Sequence, residues 1–139
     1  TPPNIAHKGG TIAFSPLDGY LYLGLGDADE PENARDPNSL FGKLLRLDVS
    51  GGVTSDYAIP SSNPFVGPDG VRDEIWAFGL RNAFTTAFQP GTGRFSINDV
   101  GQSNWEEINE GGPARNPRRS LSDDGSGTPV SSLPSRARS

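Results

Sequence analysis

The chain has 139 residues, 32% of them hydrophobic, enough for one modest core but not enough to name a fold. A formal charge of −5 and a pI near 4.7 exclude nucleic-acid binding, which rests on clustered Lys and Arg, and the absence of cysteine excludes disulfides and thiolate metal sites. Nothing resembles a signal peptide, no apolar run approaches the ~18 residues of a membrane-spanning helix, and with Thr1 in place of Met the expectation is that the N-terminus is a cut.

The 18 glycines and 13 prolines favour short strands joined by turns over helices, whose interiors both residues break. In chain order, runs rich in β-branched and aromatic residues predict strands at Thr11–Phe14, Tyr20–Leu25, Leu44–Val49, Glu74–Phe78, Thr86–Phe88 and Arg94–Val100. Turn chemistry separates them: Pro16-Leu17-Asp18-Gly19, Pro68-Asp69-Gly70 and Pro90-Gly91-Thr92-Gly93 each supply glycine where a positive φ is needed. Two hairpins repeat one phrase. Phe14-Ser15-Pro16 leads to Tyr20-Leu21-Tyr22, and Phe88-Gln89-Pro90 leads to Phe95-Ser96-Ile97. This spacing suits a four-stranded propeller blade enlarged by an insertion at Val53–Val71, ordinary blades running ~40–50 residues. An antiparallel sandwich with two similar hairpins is the other all-β arrangement that fits the pattern.

The charge changes along the chain. Residues 1–111 carry 7 basic and 15 acidic side chains, whereas residues 112–139 carry 5 Arg and 2 Asp. From Pro113 on, the only large aliphatics are Leu121, Val130 and Leu133, and there is no aromatic, too little to offset the entropy of ordering. The segment therefore reads as disordered; an out-of-frame translation, a linker or a solvated tail would all look like this, and the abrupt change of character after Glu110 favours the first.

His7, the single histidine, lies in Ala6-His7-Lys8-Gly9-Gly10 just before the first strand, and histidine is the side chain best matched to proton abstraction near neutral pH. Asp27 follows Gly26 at a strand end, where a carboxylate can orient an imidazole, although Gly-Asp there is commonly just a turn. The run Ile75 to Asn82 ends on Arg81 and Asn82, a planar fork of donors and an amide that suit carboxylate or carbonyl oxygens, or else a surface ion pair. Asp99 to Asn109 is rich in oxygen ligands of the type Ca²⁺ takes, without EF-hand spacing, and reads equally as a solvated loop. Walker A, strand-linked G-x-G-x-x-G and G-x-S-x-G motifs are all absent, and one histidine with no cysteine gives zinc little to bind.

Six collinear blocks carry a resemblance: His7 to Gly10, Gly19 to Asp27, Leu40 to Asp48, Ile59 to Phe65, Glu74 to Asn82, and Asp99 to Asn109. In order and spacing they resemble the glucose/sorbosone dehydrogenase family over about residues 6–111. The resemblance implies a six-bladed β-propeller, of which this chain would form about two to three blades, with pyrroloquinoline quinone (PQQ) held over the central channel by Ca²⁺. It implies oxidation of an aldose at C1 to the lactone, with electrons passed to an external acceptor, in a periplasmic or secreted setting. His7 then matches the base that takes the anomeric hydroxyl proton while hydride passes to the quinone, and Asp27 matches its acid partner. Arg81 and Asn82 match cofactor contacts, with Arg81 placed against charge on the quinone oxygen. Gly101 and Gln102 match backbone ligands of the cofactor's Ca²⁺, and Glu107 matches a ligand of a separate structural Ca²⁺.

The chain departs from the family at Ala28, where many members have glycine, and at Asn82-Ala83-Phe84, where many have Asn-Pro-Trp. After Glu110 it leaves the family's pattern. The expectation is thus an incomplete propeller at 1–111 with a disordered or out-of-frame tail at 112–139, in which the isolated piece binds cofactor poorly. Two further readings stand beside the enzyme: a non-catalytic propeller that binds a protein or glycan, like hedgehog-interacting proteins, and a fragment without activity of its own.

Overall fold

A computed structural model describes residues 6–52, 56–101 and 107–111. The tail at 112–139 and Gln102 lie outside the described residues. Among the described residues, seven strands form two antiparallel meanders. The first sheet runs in the order β1 (Gly9–Phe14), β2 (Leu21–Leu25), β3 (Lys43–Leu47), β4 (Ile75–Phe78); the second in the order β5 (Ala83–Phe88), β6 (Phe95–Asp99), β7 (Glu107–Gly111). One four-stranded blade followed by three strands of the next is a partial β-propeller, as the sequence predicts.

The repeated phrase builds the same hairpin twice. In the first, the Ser15 amide donates to the Tyr20 carbonyl at 3.0 Å and the Gly19 amide to the Ser15 carbonyl at 2.9 Å. In the second, the Gln89 amide donates to Arg94 at 2.7 Å and Gly93 to Gln89 at 3.3 Å. Phe14 pairs with Leu21 and Phe88 with Phe95, at matching positions of the two sheets.

The sheets pack face to face through Tyr22, Leu44, Trp76, Ala77, Leu80, Ala83, Phe95 and Ile97. Tyr22 meets Trp76 edge to face at 5.8 Å and Phe88 at 5.3 Å, the arrangement aromatic quadrupoles prefer. Gly24 lets β2 come this close: a Cβ there would stand 2.9 Å from that of Ala83 and 2.6 Å from Thr11 Cγ2. The opposite face of the first sheet carries Leu45, Leu47 and Ile75, covered by Ile59, Phe65 and Val71 of the insertion between β3 and β4. All five residues of β3 are therefore buried, including the cations Lys43 and Arg46, each of which has hydrogen-bond partners.

Two elements differ from the sequence expectation. A one-turn helix, α1 (Pro31–Arg35), stands in a segment with no helical periodicity, and β7 occupies the end of what reads as an acidic loop. Among the described residues no helix is long and apolar enough to cross a membrane.

Candidate active site

The site forms where the segment before β1, the loop after β2, the β4–β5 connection and the end of β6 meet. His7 Nδ1 lies 2.9 Å from Asp27 Oδ1, with 14% of the imidazole and 4% of the carboxyl side chain exposed. A carboxylate only accepts, so this bond takes a proton on Nδ1, and in the neutral ring the lone pair is then left to Nε2. The same Oδ1 accepts the Asp29 amide at 2.9 Å, which fixes the carboxylate's rotation. The half-exposed Asp29 carboxylate stands 3.5 Å from Nδ1, so a second negative charge faces the ring from the solvent side.

Main-chain bonds hold these groups in register. The Ala28 amide donates to the His7 carbonyl at 3.1 Å, and the Asp27 amide to the Arg81 carbonyl at 2.8 Å. Gly26 is required for this approach, since a Cβ there would run into the His7 carbonyl oxygen. His7, Ala28 and Asp29 have φ of 46°, 60° and 64°, the three non-glycine residues in the left-handed region among those described. All three border the same site, and such conformations persist only where the surroundings over-determine them. Ala28, a departure from the family's glycine, is fully buried in this strained conformation.

Arg81 and Asn82 are anchored by Asp99, whose carboxylate accepts the Arg81 amide at 3.0 Å and the Asn82 amide at 2.6 Å. The Arg81 guanidinium donates through Nη1 to the carbonyls of Val100 at 3.0 Å and Gly101 at 3.1 Å. Asn82 Oδ1 accepts the Gly9 amide at 3.2 Å, tying this turn to the start of β1 beside His7.

His7, Asp27, Arg81, Asn82 and Gly101 thus come together from positions up to 94 residues apart in the chain. Gln102 lies outside the described residues. Glu107 opens β7 with its main chain opposite Asp99, and its side chain lies outside the description. Among the described residues no three His, Cys, Asp or Glu side chains are grouped to hold a metal ion. Sequence reasoning missed Asp29 and Asn33, whose Nδ2 donates to the Asp27 carbonyl at 3.0 Å, and it read Asp99 as part of an oxygen-rich run without its role as acceptor of the Arg81 and Asn82 amides. The only signal for them is a carboxylate or amide beside a strand end or turn, which most turns also show.

A family model described as Glucose / Sorbosone dehydrogenase matches residues 2–136, a range that extends past residue 111. The chain is 39% identical over 121 residues to the HIPL1 protein of Arabidopsis thaliana, covering 76% of this chain and 17% of that protein. It is 37% identical over 103 residues to the aldose sugar dehydrogenase YliI of Escherichia coli (strain K12), covering 74% of this chain and 26% of the relative. The solved PQQ-bound form of an aldose sugar dehydrogenase from Streptomyces coelicolor superposes with a TM-score of 0.65 at 32% identity, covering 81% of this chain and 30% of that one. The chain therefore spans less than a third of the length of each of these proteins.

Proposed function

The chain belongs to the glucose/sorbosone dehydrogenase family, and from that premise we propose that it carries the proton-abstracting half of a PQQ-dependent aldose dehydrogenase site. The observation that carries this reading is the buried Asp27 carboxylate bonded to His7 Nδ1. Held that way, the imidazole presents a basic Nε2 to a sugar hydroxyl, and the carboxylate offsets the positive charge the ring gains with the proton. Asp29 at the solvent side adds to that compensation.

The donor chemistry fits the cofactor and its metal. The carbonyls of Val100 and Gly101 accept from the Arg81 guanidinium, and carbonyl oxygens are hard ligands of the type Ca²⁺ takes, so Arg81 would turn from Gly101 toward the quinone when the ion is bound. With Gln102, Gly101 would supply main-chain ligands to that ion. Arg81 and Asn82 would hold the oxygens of the quinone, the guanidinium being suited to carboxylate or carbonyl groups. PQQ, when bound, supplies the two-electron acceptor for the hydride from C1. The chain's own part is to take the hydroxyl proton at His7 Nε2, hold the ring's tautomer through Asp27, and keep Arg81 in register through Asp99. The product is the lactone, the final electrons pass to an external acceptor, and the setting is periplasmic or secreted.

A second reading, a non-catalytic propeller that binds a protein or glycan, draws on the 39% identity to the HIPL1 protein. The two readings separate in one assay. The segment matched in the E. coli relative is replaced by this one, and dye reduction on adding aldoses is followed with PQQ and Ca²⁺ present. Sugar-dependent reduction that EDTA removes supports the dehydrogenase. Quinone binding without reduction supports the binding scaffold, and neither binding nor reduction rejects the dehydrogenase reading.

A further inference from the structure

Lys43 opens β3 with no solvent exposure at all. Burying an ammonium is costly unless its three donors are met. Here each is: Nζ donates to the carbonyls of Asn33 at 2.6 Å, Ala34 at 3.1 Å and Phe41 at 2.9 Å, with the Phe78 ring centre 5.2 Å away. Asn33 and Ala34 lie in the last turn of α1, and a five-residue helix leaves such carbonyls without intrahelical partners. A cation at a helix C-terminus fits both their geometry and their partial charge.

One of the caged residues reaches the site directly. Asn33, whose carbonyl takes the shortest of the three bonds, sends Nδ2 to the Asp27 carbonyl at 3.0 Å, and Asp27 holds the imidazole at 2.9 Å. Ala28 and Asp29 follow Asp27 in left-handed conformations, which the loop keeps only if both its ends are fixed. Gly42 ties the start of this loop to α1, its amide on the Gly26 carbonyl at 2.9 Å and its Cα against Ala34, where a Cβ would stand 2.6 Å away.

We propose that Lys43 is a positioning residue for the His7–Asp27 pair: its ammonium, seated in three carbonyls, locks α1 so that Asn33 holds Asp27 against the imidazole. It touches neither the ring nor the carboxylate. This rests on the reading of His7 as the proton acceptor, but its test does not use turnover, so the two can fail separately.

The test is hydrogen exchange and histidine-labelled magnetic resonance on the whole chain. The wild type gives a slowly exchanging imidazole Nδ1–H from His7 and a protected Asp29 amide. In Lys43→Ala both exchange at least about tenfold faster, the loss expected for a charge-assisted hydrogen bond, while amides of the β5–β6 hairpin keep their rates. Propylammonium, the severed part of the side chain, restores both signals in Lys43→Ala. Lys43→Met, which fills the same space without the charge, exchanges as fast as Lys43→Ala, and propylammonium does not restore it. The proposal is overturned if a folded Lys43→Ala or Lys43→Met keeps wild-type signals at His7 and Asp29. It is equally overturned if both variants lose protection throughout the β5–β6 hairpin and propylammonium restores nothing, because Lys43 then serves the fold as a whole and not the site.

Discussion

The Asp27 amide donates to the Arg81 carbonyl at 2.8 Å, joining the loop after the second strand of one sheet to the turn that opens the next. The acid that grips His7 and the arginine that faces the Gly101 carbonyl are therefore fixed to one another by main chain, whatever their side chains do. A bond between main-chain groups survives substitution at either residue, so each side chain can be removed without dislodging the other.

Asp27→Asn separates charge from geometry. Oδ1 accepts both the Asp29 amide and His7 Nδ1, and an asparagine Oδ1 can accept the same two bonds. The ring stays in place but the compensating charge is lost. Turnover in the grafted enzyme should fall about 10- to 100-fold, the worth of a charge-assisted bond, with the Asp29 amide still protected from exchange. An unchanged rate would show that the charge of Asp27 takes no part.

Ala28→Gly should stabilise the chain. Ala28 sits at φ 60°, where glycine is free of strain, so the substitution should raise unfolding free energy by about 1 kcal/mol in urea denaturation. A loss of stability would mean that packing of the buried Ala28 methyl outweighs the strain.

Much of this architecture is legible in the sequence. The paired phrases Phe14-Ser15-Pro16 and Phe88-Gln89-Pro90 announce two equivalent hairpins because their turns are decided locally, by glycine and proline. His7 and Asp27 are legible as candidates by chemical type, although nothing in their spacing requires them to meet. The helix α1 is not legible, because one turn shows no periodicity and depends on Lys43 from the neighbouring strand. The anchoring role of Asp99 is hidden for a similar reason: its carboxylate serves two amides 17 and 18 residues back, a relation that sequence pattern does not encode. Strand β7 is hidden because Glu107 to Gly111 lacks the β-branched and aromatic residues of the other strands, Ile108 apart.

Acid should act through Glu74. Hydrogen bonds from Arg72 at 2.7 Å and Tyr57 at 2.9 Å outweigh its burial and hold its carboxyl at about 2, below the ordinary 4.5. The folded pKa lies below the unfolded one, so the stabilisation is fully present above about pH 4.5 and is lost as pH falls toward 2. The size of the effect is modest because the Arg72 side chain is 41% exposed. Denaturation midpoints across that window should fall less steeply in Glu74→Gln, and parallel wild-type and mutant curves would contradict the assignment.

Alkali should act through Lys43 in the opposite sense. Burial lowers its pKa from 10.5 to about 8, against the opposing charge of Asp36. The unfolded chain then keeps this proton to higher pH than the folded one, so between about pH 8 and 10.5 this group makes stability rise with pH. Over the same range the neutral amine has two donors for three carbonyls, so the Asp29 amide should exchange faster relative to those of the β5–β6 hairpin. Lys43→Met should abolish the alkaline rise in thermal midpoint, and its persistence would place the titration elsewhere.

The central claim is that His7 takes the sugar's proton, and the direct measurement is turnover and quinone affinity of His7→Ala in the grafted enzyme. The expected result is a loss of about 10²- to 10⁴-fold in kcat, the usual contribution of a general base, with quinone affinity kept within a few-fold. Near-normal turnover in His7→Ala would contradict the claim, and so would a loss of quinone binding that accounts for the whole effect.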